Sequence, residues 1–179
     1  RPIRDLLPVL PKRFHKLRLI GGNGAFTSFN GSMTSVTYDE HTKQALFHCI
    51  ERHDCKYLAD SEWDFSYTGD CTHPIYRHLN VIDADNRRLE ELPNLCKLVL
   101  FEVNDDLLQE LSELPVLLTK YKSEDIYDIS PLGINKIRGL QQFHIEQFVA
   151  FGNDQNDVCL FEQAAFSVCV GKQDAHAYA

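Results

Sequence analysis

The strongest constraint on the fold of this 179-residue chain is an alternation of segment types toward its C-terminal end. Three segments with strand-like patterns, 125–131 (DIYDISP), 147–151 (QFVAF) and 166–171 (FSVCVG), are separated by helix-like patterns at 134–143 and 157–165. Strands that alternate with helices are joined by right-handed crossovers and lie parallel in one sheet. The pattern therefore predicts an α/β fold in which these three strands form a parallel sheet.

The middle of the chain carries a different pattern. Asp39 can cap a helix whose apolar residues share one face, and Asn104 can cap a second helix built on leucines. Around these helices, strand-like segments follow one another directly, as in an α+β domain. The predicted strands are 32–38, 55–61, 63–68, 95–103 and 115–121, with a polar, turn-rich stretch at 69–94.

The first 26 residues predict a helix and a buried strand. Apolar residues from Ile3 to Leu10 recur at the spacing of one helical face, and Pro8 and Pro11 limit that helix. Residues 16–26 then predict a short strand that runs into a glycine-rich turn.

Charge and hydrophobicity exclude several kinds of partner. The hydrophobic content of 44% is typical of a globular protein, and the net charge of −8 argues against nucleic acid or a membrane surface as a partner. No apolar run approaches the ~20 residues that a membrane helix needs. The six cysteines lie mostly in apolar patterns, as small buried side chains do, so we expect a reducing, cytoplasmic environment.

The segment 152–157 (GNDQND) concentrates side-chain oxygens just after a predicted strand. In a parallel sheet, ligands bind beyond the carboxyl ends of the strands, where loops run into helices. Carboxylate and amide oxygens suit Mg²⁺, which usually keeps one or two protein carboxylates and fills its other positions with water and phosphate. The same side chains could equally cap the next helix and shape its turn.

A lysine favours the metal interpretation. Lys136 lies near the start of the helix that precedes this strand, so the lysine and the acidic turn could flank one pocket. A lysine beside carboxylates and a metal ion can bind phosphate and neutralise charge during phosphoryl transfer. The alternative is an ordinary solvated lysine.

Four segments together carry a resemblance to a known family. They are RPIRDLLPVL, GGNGAF, ISPLGINKIRGLQ and FGNDQNDVCLFEQAAFSVCVG, in this order along the chain. With them the chain resembles the haloacid dehalogenase-like (HAD) phosphatases of the Cof type, and the last segment is the most specific. The resemblance implies an α/β fold: a partial Rossmann-like core with a parallel sheet, formed by 1–34 and 119–179, and an inserted α+β cap domain, 35–118.

The resemblance also implies a reaction and roles for individual residues. Lys136 matches the lysine that binds the transferring phosphoryl group and the nucleophile. Asn153 and Asp157 match the ends of the Gly-Asp-x-x-x-Asp motif, which holds Mg²⁺ directly or through water. Asn156 matches an asparagine of that motif which helps to hold the lysine or the phosphate. The implied reaction is Mg²⁺-dependent hydrolysis of small phosphorylated metabolites, similar to sugar phosphates, through an aspartyl-phosphate intermediate.

Two further residues match the family, and one departs from it. Asn23 matches a pocket asparagine near the hinge to the cap, and Arg1 matches the arginine that follows a Thr-Gly pair; both are expected to bind substrate or phosphate. Asn153 stands where most relatives have aspartate, so metal affinity should be weaker unless the neighbouring Asp154 substitutes.

The nucleophile segment of the family, Asp-x-Asp-Gly-Thr, does not occur in the sequence. We therefore expect a piece of a longer protein that is inactive alone, with apolar core surface exposed unless a second copy covers it in a homo-oligomer. A non-catalytic binding or regulatory protein that keeps the HAD fold is the alternative function.

Two features of the middle region leave other interpretations open. A structural zinc cluster would need several His and Cys side chains to converge, although no Cys-x-x-Cys pair is present. Its candidate ligands are His48, Cys49, His53, Cys55, Cys71 and His73. Aromatic residues alternate with acidic ones from 60 to 67, which predicts a half-buried strand with a solvated acidic face, or a cap surface around Trp63 that selects the leaving group.

Overall fold

The structure, a computed structural model, describes residues 1–121, 125–153 and 155–171. The helices are α1 (Ile3–Leu6), α2 (Glu40–Arg52), α3 (Asp105–Ser112), α4 (Lys136–Gln142) and α5 (Val158–Gln163). The strands are β1 (Leu19–Gly21), β2 (Phe26–Phe29), β3 (Ser32–Ser35), β4 (Lys56–Asp60), β5 (Phe65–Tyr67), β6 (Lys97–Phe101), β7 (Val116–Lys120), β8 (Tyr127–Pro131), β9 (Val149–Gly152) and β10 (Phe166–Cys169). No helix in these ranges is long and apolar enough to cross a membrane.

The N-terminal unit is an antiparallel sheet of β1, β2 and β3 that packs against α1. The sequence predicted the glycine-rich turn that precedes β2 but no strand over 27–29, where most of β2 lies. The strand exists because Asn30 and Gly31 (φ 52° and 84°) close a two-residue hairpin between Phe29 and Ser32. Both central residues of such a turn need positive φ, which asparagine and glycine adopt readily. The Asn-Gly pair was therefore a hairpin signal that the sequence prediction missed.

The largest unit is a five-stranded antiparallel sheet with the strand order β5-β4-β6-β8-β7. Its two faces bury different side chains. Helices α2 and α3 cover one face, where Leu46, Leu98 and Leu107 are fully buried in one cluster. The segment 69–94 covers the other face with residues such as Leu79. The predicted caps are confirmed, because the Asp39 and Asn104 side chains each accept a hydrogen bond from the backbone N–H three residues later.

The prediction that β8 joins the last two strands in a parallel sheet is wrong. β8 pairs antiparallel with β6 and with β7, and among the strands of the described residues β9 and β10 are the one parallel pair. The short connection 121–126 explains the difference: the Tyr121 N–H donates to the Ile126 carbonyl, and a hairpin of this length can join only antiparallel strands. The five-stranded sheet therefore continues beyond residue 118, and the cap bounds 35–118 stay a prediction.

The parallel pair β9–β10 leaves apolar side chains in contact with solvent. Phe166 lies opposite Val149 in the register, so these residues share a face of the pair with Phe151. Their exposed fractions are 65%, 54% and 66%, respectively. Ala150, which points to the other face, is 4% exposed. The expectation of exposed apolar core surface is confirmed at this face.

Candidate active site

The position of Lys136 is set by the turn between β8 and α4. The side-chain oxygen of Asn135 accepts a hydrogen bond from the Arg138 N–H (2.9 Å), which caps the N-terminus of α4. Gly133 has a φ of +74°, which few side chains tolerate, and it reverses the chain between the strand and the helix. Lys136 is therefore the first residue of a capped helix, and 27% of its side chain is exposed.

The ammonium group of Lys136 lies against the oxygen-rich turn. Its Nζ donates to Asn156 Oδ1 (2.9 Å) and to Asp157 Oδ1. Asn156 is exposed, whereas Asp157 is only 6% exposed. A buried carboxylate needs a compensating partner, and the lysine supplies one. The three side chains thus form one connected cluster at the end of β9.

The Asp157 carboxylate is fixed on its second oxygen as well. The backbone N–H of Asn153 donates to Asp157 Oδ2 at 2.9 Å. Gly152 allows this approach: a Cβ atom at that position would lie 2.5 Å from the Asp157 carboxyl carbon, closer than real contacts permit. The glycine before Asn153 is therefore required by the way the turn folds over the carboxylate.

The glycine-rich turn 22–24 packs against the same helix end. Gly24 has a φ of +104°, and a Cβ there would lie 2.0 Å from the Asn135 carbonyl oxygen. Asn23 adopts a left-handed conformation (φ 58°), and its Oδ1 is buried without a hydrogen-bond partner among the described residues. The Gly22 N–H donates to the Arg1 carbonyl (2.6 Å), which connects Arg1 to this turn through its backbone.

The structure brings together most of the predicted site residues. Lys136, Asn156 and Asp157 are in direct contact, and Asn153 joins them through its backbone. Asp154 lies outside the described residues. Sequence reasoning missed Asn135, although an asparagine directly before a helical pattern is a cap signal.

The pattern of the whole chain matches one family. The family model for haloacid dehalogenase-like hydrolases matches residues 1–178. The chain belongs to this family. The resemblance inferred from its four segments is thereby confirmed.

Two curated relatives of this HAD chain are archaeal. The phosphoglycolate phosphatase of Methanosarcina mazei is 29% identical over 159 residues, which cover 88% of this chain and 63% of that protein. The phosphoglycolate phosphatase of Methanosarcina acetivorans is 28% identical over 161 residues, with the same two coverages. The HAD chain thus spans less than two thirds of the length of these relatives.

Solved structures share the fold. A haloacid dehalogenase-like hydrolase from Bacteroides thetaiotaomicron superposes with a TM-score of 0.77 at 16% identity, covering 99% of this chain and 75% of that one. A sugar phosphatase of HAD subclass IIB superposes with a TM-score of 0.67 at 18% identity, and the match covers 87% of this chain and 65% of that one. The predicted fold class, a Rossmann-like core with an inserted cap, is confirmed by these likenesses.

The donor atoms of the HAD site fit Mg²⁺. The described part of the turn offers the Asp157 carboxylate together with the amides of Asn153 and Asn156, and all of them are oxygen ligands of the kind that Mg²⁺ prefers. Over the described residues, no three His, Cys, Asp or Glu side chains are grouped to hold a metal ion. A single carboxylate is nevertheless enough, because Mg²⁺ is usually bound by only one or two protein carboxylates. Water and phosphate oxygens fill the other coordination positions.

The six candidate zinc ligands do not converge. Cys49 and His53 contact Glu110, with the His53 Nε2 at 3.2 Å from a carboxylate oxygen. The His73 ring instead packs edge-on against Phe101, with ring centroids 5.0 Å apart.

Strand β5, which follows Trp63, is buried on both faces, whereas a half-buried strand was predicted: Ser66 on the other face is 2% exposed. Trp63 itself is 37% exposed. Phe65 and Tyr67 are 1% and 7% exposed and pack with the segment 69–94. The expectation that Asp60 belongs to a solvated acidic face is wrong. Asp60 is 1% exposed, because its carboxylate is paired with the Arg4 guanidinium.

Proposed function

We propose that these residues form one half of the active site of a Mg²⁺-dependent phosphohydrolase. The observation that carries this proposal is the Lys136 ammonium group, which two side chains of the oxygen-rich turn hold at the end of β9. The attacking aspartate comes from a segment outside the 179 residues, since the nucleophile motif is absent from them. The 179-residue chain alone is therefore inactive.

The residues of this chain bind and orient the phosphoryl group. Lys136 neutralises charge on the transferring group, and its two hydrogen bonds keep the ammonium in place before substrate arrives. Asn153 and Asp157 would hold Mg²⁺, which withdraws charge from the phosphoryl oxygens when it is bound. Asn23 and Arg1, at the adjoining glycine-rich turn, contact the phosphate or the substrate.

The reaction proceeds in two displacements. A carboxylate oxygen of the external aspartate attacks phosphorus, and the bond between phosphorus and the substrate oxygen breaks, which gives an aspartyl-phosphate. The departing oxygen takes a proton from solvent and leaves as the free alcohol. Water then attacks phosphorus, which releases inorganic phosphate and restores the carboxylate. Lys136 stays protonated throughout and counters the charge on the equatorial oxygens in both steps.

The substrates are small phosphorylated metabolites. The two archaeal relatives are phosphoglycolate phosphatases, and a solved structure with the same fold is a sugar phosphatase. We therefore place phosphoglycolate and sugar phosphates first among the compounds to test. A cytoplasmic location accords with such substrates.

A second candidate is a HAD-fold protein that binds phosphorylated ligands without hydrolysing them. Asn153 favours it, because an uncharged amide at this position binds Mg²⁺ more weakly than a carboxylate does. The two candidates share the lysine and the turn, and they differ in whether phosphate is released.

The test is a panel of phosphorylated metabolites, assayed for phosphate release by the full-length gene product with Mg²⁺ present. Replacement of the ammonium in Lys136→Met should lower kcat/KM by roughly 10²–10³-fold, as the loss of one charge-stabilising donor does. Lys43→Met is the control, since Lys43 pairs with Glu40 on α2, and it should leave activity unchanged. Turnover of no compound would refute the phosphohydrolase, and ligand binding without turnover would establish the second candidate.

A further inference from the structure

Arg4 is the most unusual charged residue outside the candidate site. It lies on the four-residue helix α1, and its side chain is 0% exposed. Arginine is almost never fully buried unless it is paired. The guanidinium donates to both Asp5 oxygens (2.7 and 2.8 Å), to Asp60 Oδ1 (2.7 Å) and to the Trp63 carbonyl (2.9 Å). The planar guanidinium thus makes four hydrogen bonds in one arrangement, which a lysine ammonium could not make.

The partners of Arg4 belong to two different parts of the fold. Asp5 is its neighbour on α1, which packs against the N-terminal sheet. Asp60 ends β4 of the five-stranded sheet, and the Trp63 carbonyl lies in the connection from β4 to β5. The Phe65 ring of β5 lies 5.0 Å from the guanidinium carbon. One buried cation therefore joins α1 to the edge of the five-stranded sheet.

Arg4 is the cation that the two buried carboxylates of this junction share. Asp5 and Asp60 are 4% and 1% exposed, so both carboxylates are removed from water. Burial raises the pKa of Asp60, and the nearby Arg4 guanidinium acts in the opposite direction. The Asn80 N–H gives Asp5 one further hydrogen bond (2.8 Å). Because two carboxylates share the same cation, its position is sharply defined.

This junction is connected to the candidate site through the backbone. Arg4 follows Arg1 by three residues, and the Arg1 carbonyl accepts a hydrogen bond from the Gly22 N–H. Gly24, in the same turn, packs against Asn135, the residue that precedes Lys136. The position of α1 relative to β4, together with the short connection 132–135 from β8 to α4, thus determines where the five-stranded sheet lies relative to the lysine.

We propose that Arg4 is a positioning residue, which clamps the five-stranded sheet onto α1 and so helps to fix the sheet relative to the candidate active site. The junction also contains apolar contacts: Cys96, next to β6, is buried in one cluster with Ile3 and Phe26. Apolar contacts tolerate sliding, whereas four hydrogen bonds from one planar group define a single orientation. The link to catalysis rests on the proposed function, and the clamp itself does not.

The test is Asp60→Asn, which keeps the size of the side chain and an oxygen acceptor but removes the charge that pairs with Arg4. Two connections link the five-stranded sheet and its helices to the rest of the fold: 36–39 joins β3 to α2, and 132–135 joins β8 to α4. Hydrogen exchange of the backbone amides in both should rise by roughly tenfold or more in this variant. Glu110→Gln is the matched control, because Glu110 on α3 pairs with Arg52 and His53 at the C-terminal end of α2, and neither residue belongs to α1.

A second variant keeps the proposal testable if Asp60→Asn does not fold. Arg4→Lys retains the charge but cannot reach both carboxylates and the carbonyl, so it should raise exchange in the same two connections. In the full-length enzyme, either variant should raise KM by about tenfold and change kcat by less than about threefold, because the phosphoryl-binding groups are untouched. Exchange within twofold of the wild-type value, or an equal rise in Glu110→Gln, would refute the clamp. Absence of turnover in every variant would refute the proposed function and leave the exchange result decisive for the clamp.

Discussion

Gly24 is the residue at which the glycine-rich turn and the start of α4 approach most closely. Its missing side chain allows the Asn135 carbonyl to occupy the space where a Cβ would lie. Gly31, in the β2–β3 hairpin, also has a positive φ, but no atom lies within 4 Å of the place where its Cβ would be. A comparison of the two glycines therefore separates the cost of a side chain at positive φ from the cost of a steric clash with neighbouring atoms.

We expect Gly24→Ala to destabilise the protein by more than about 4 kcal/mol, since the added methyl group meets backbone that cannot move without displacing α4. Gly31→Ala should cost about 1 kcal/mol, which is the penalty of the left-handed conformation alone. Urea unfolding of both variants measures the difference. Equal losses would show that the packing of the turn against Asn135 is looser than the structure indicates.

The cysteines differ in how far they are removed from solvent. Burial raises the pKa of the Cys96 thiol to about 12, and this residue is 0% exposed, whereas Cys71 is exposed. At pH 8 only about one Cys96 in 10⁴ would be a thiolate, the form that reacts with alkylating reagents. Iodoacetamide should therefore label Cys71 within minutes and Cys96 only after unfolding, as followed by peptide mass spectrometry. Rapid labelling of Cys96 in the native protein would contradict its burial at the α1 junction.

At the scale of elements, α3 illustrates how a cap and a leucine face define a helix. Asn104 Oδ1 accepts the Leu107 N–H at 2.9 Å, and Leu107 and Leu111 are fully buried. Asp105 and Asp106 in the first turn add a favourable interaction with the helix dipole. Three features of the sequence thus indicate the same starting residue.

We expect Asn104→Ala to lower the free energy of unfolding by about 1 kcal/mol, because the first turn of α3 loses its side-chain acceptor. Asn94→Ala is the control, since the Asn94 amide makes only a long contact of 3.5 Å to Glu62. Thermal unfolding followed by circular dichroism gives both values. A loss in Asn94→Ala as large as that in Asn104→Ala would mean that the cap itself contributes nothing.

The elements that sequence reasoning predicted correctly are those whose signals are local. The caps at Asp39 and Asn104 depend on residues within one turn, and so they could be predicted. The antiparallel pairing of β8 with β6 and β7 could not be predicted, because the apolar pattern of 125–131 fits an antiparallel strand as well as a parallel one. The Asn30-Gly31 hairpin was predictable from turn chemistry and was missed.

At the scale of the whole molecule, the site depends on contacts between distant parts of the chain. The encounter of Lys136 with Asn156 and Asp157 was expected from the order of a helix and a strand, and the structure shows it. The burial of Asp60 against Arg4 could not be expected, because residues 56 positions apart meet there without any sequence pattern that relates them.

The exposed face of β9–β10 should be detectable in the 179-residue chain. We expect this chain to bind the hydrophobic dye ANS, and the double variant Phe151→Ser with Phe166→Ser to lose most of that fluorescence. Ile82→Ser is the control, because Ile82 is exposed (91%) but lies on the segment 69–94 and not on the β9–β10 pair. Fluorescence unchanged in the double variant would show that the face is covered in solution.

The short connection from Pro131 to Lys136 has a consequence for how such a protein can diverge. Four residues separate the end of β8 from the lysine, so an insertion there would rotate Lys136 out of reach of its two partners. The connection 53–55 enters β4 at the end opposite Asp60, and extra residues there would leave that geometry untouched. We therefore expect added residues to be tolerated at 53–55, whereas the length of 132–135 is constrained by the position of Lys136.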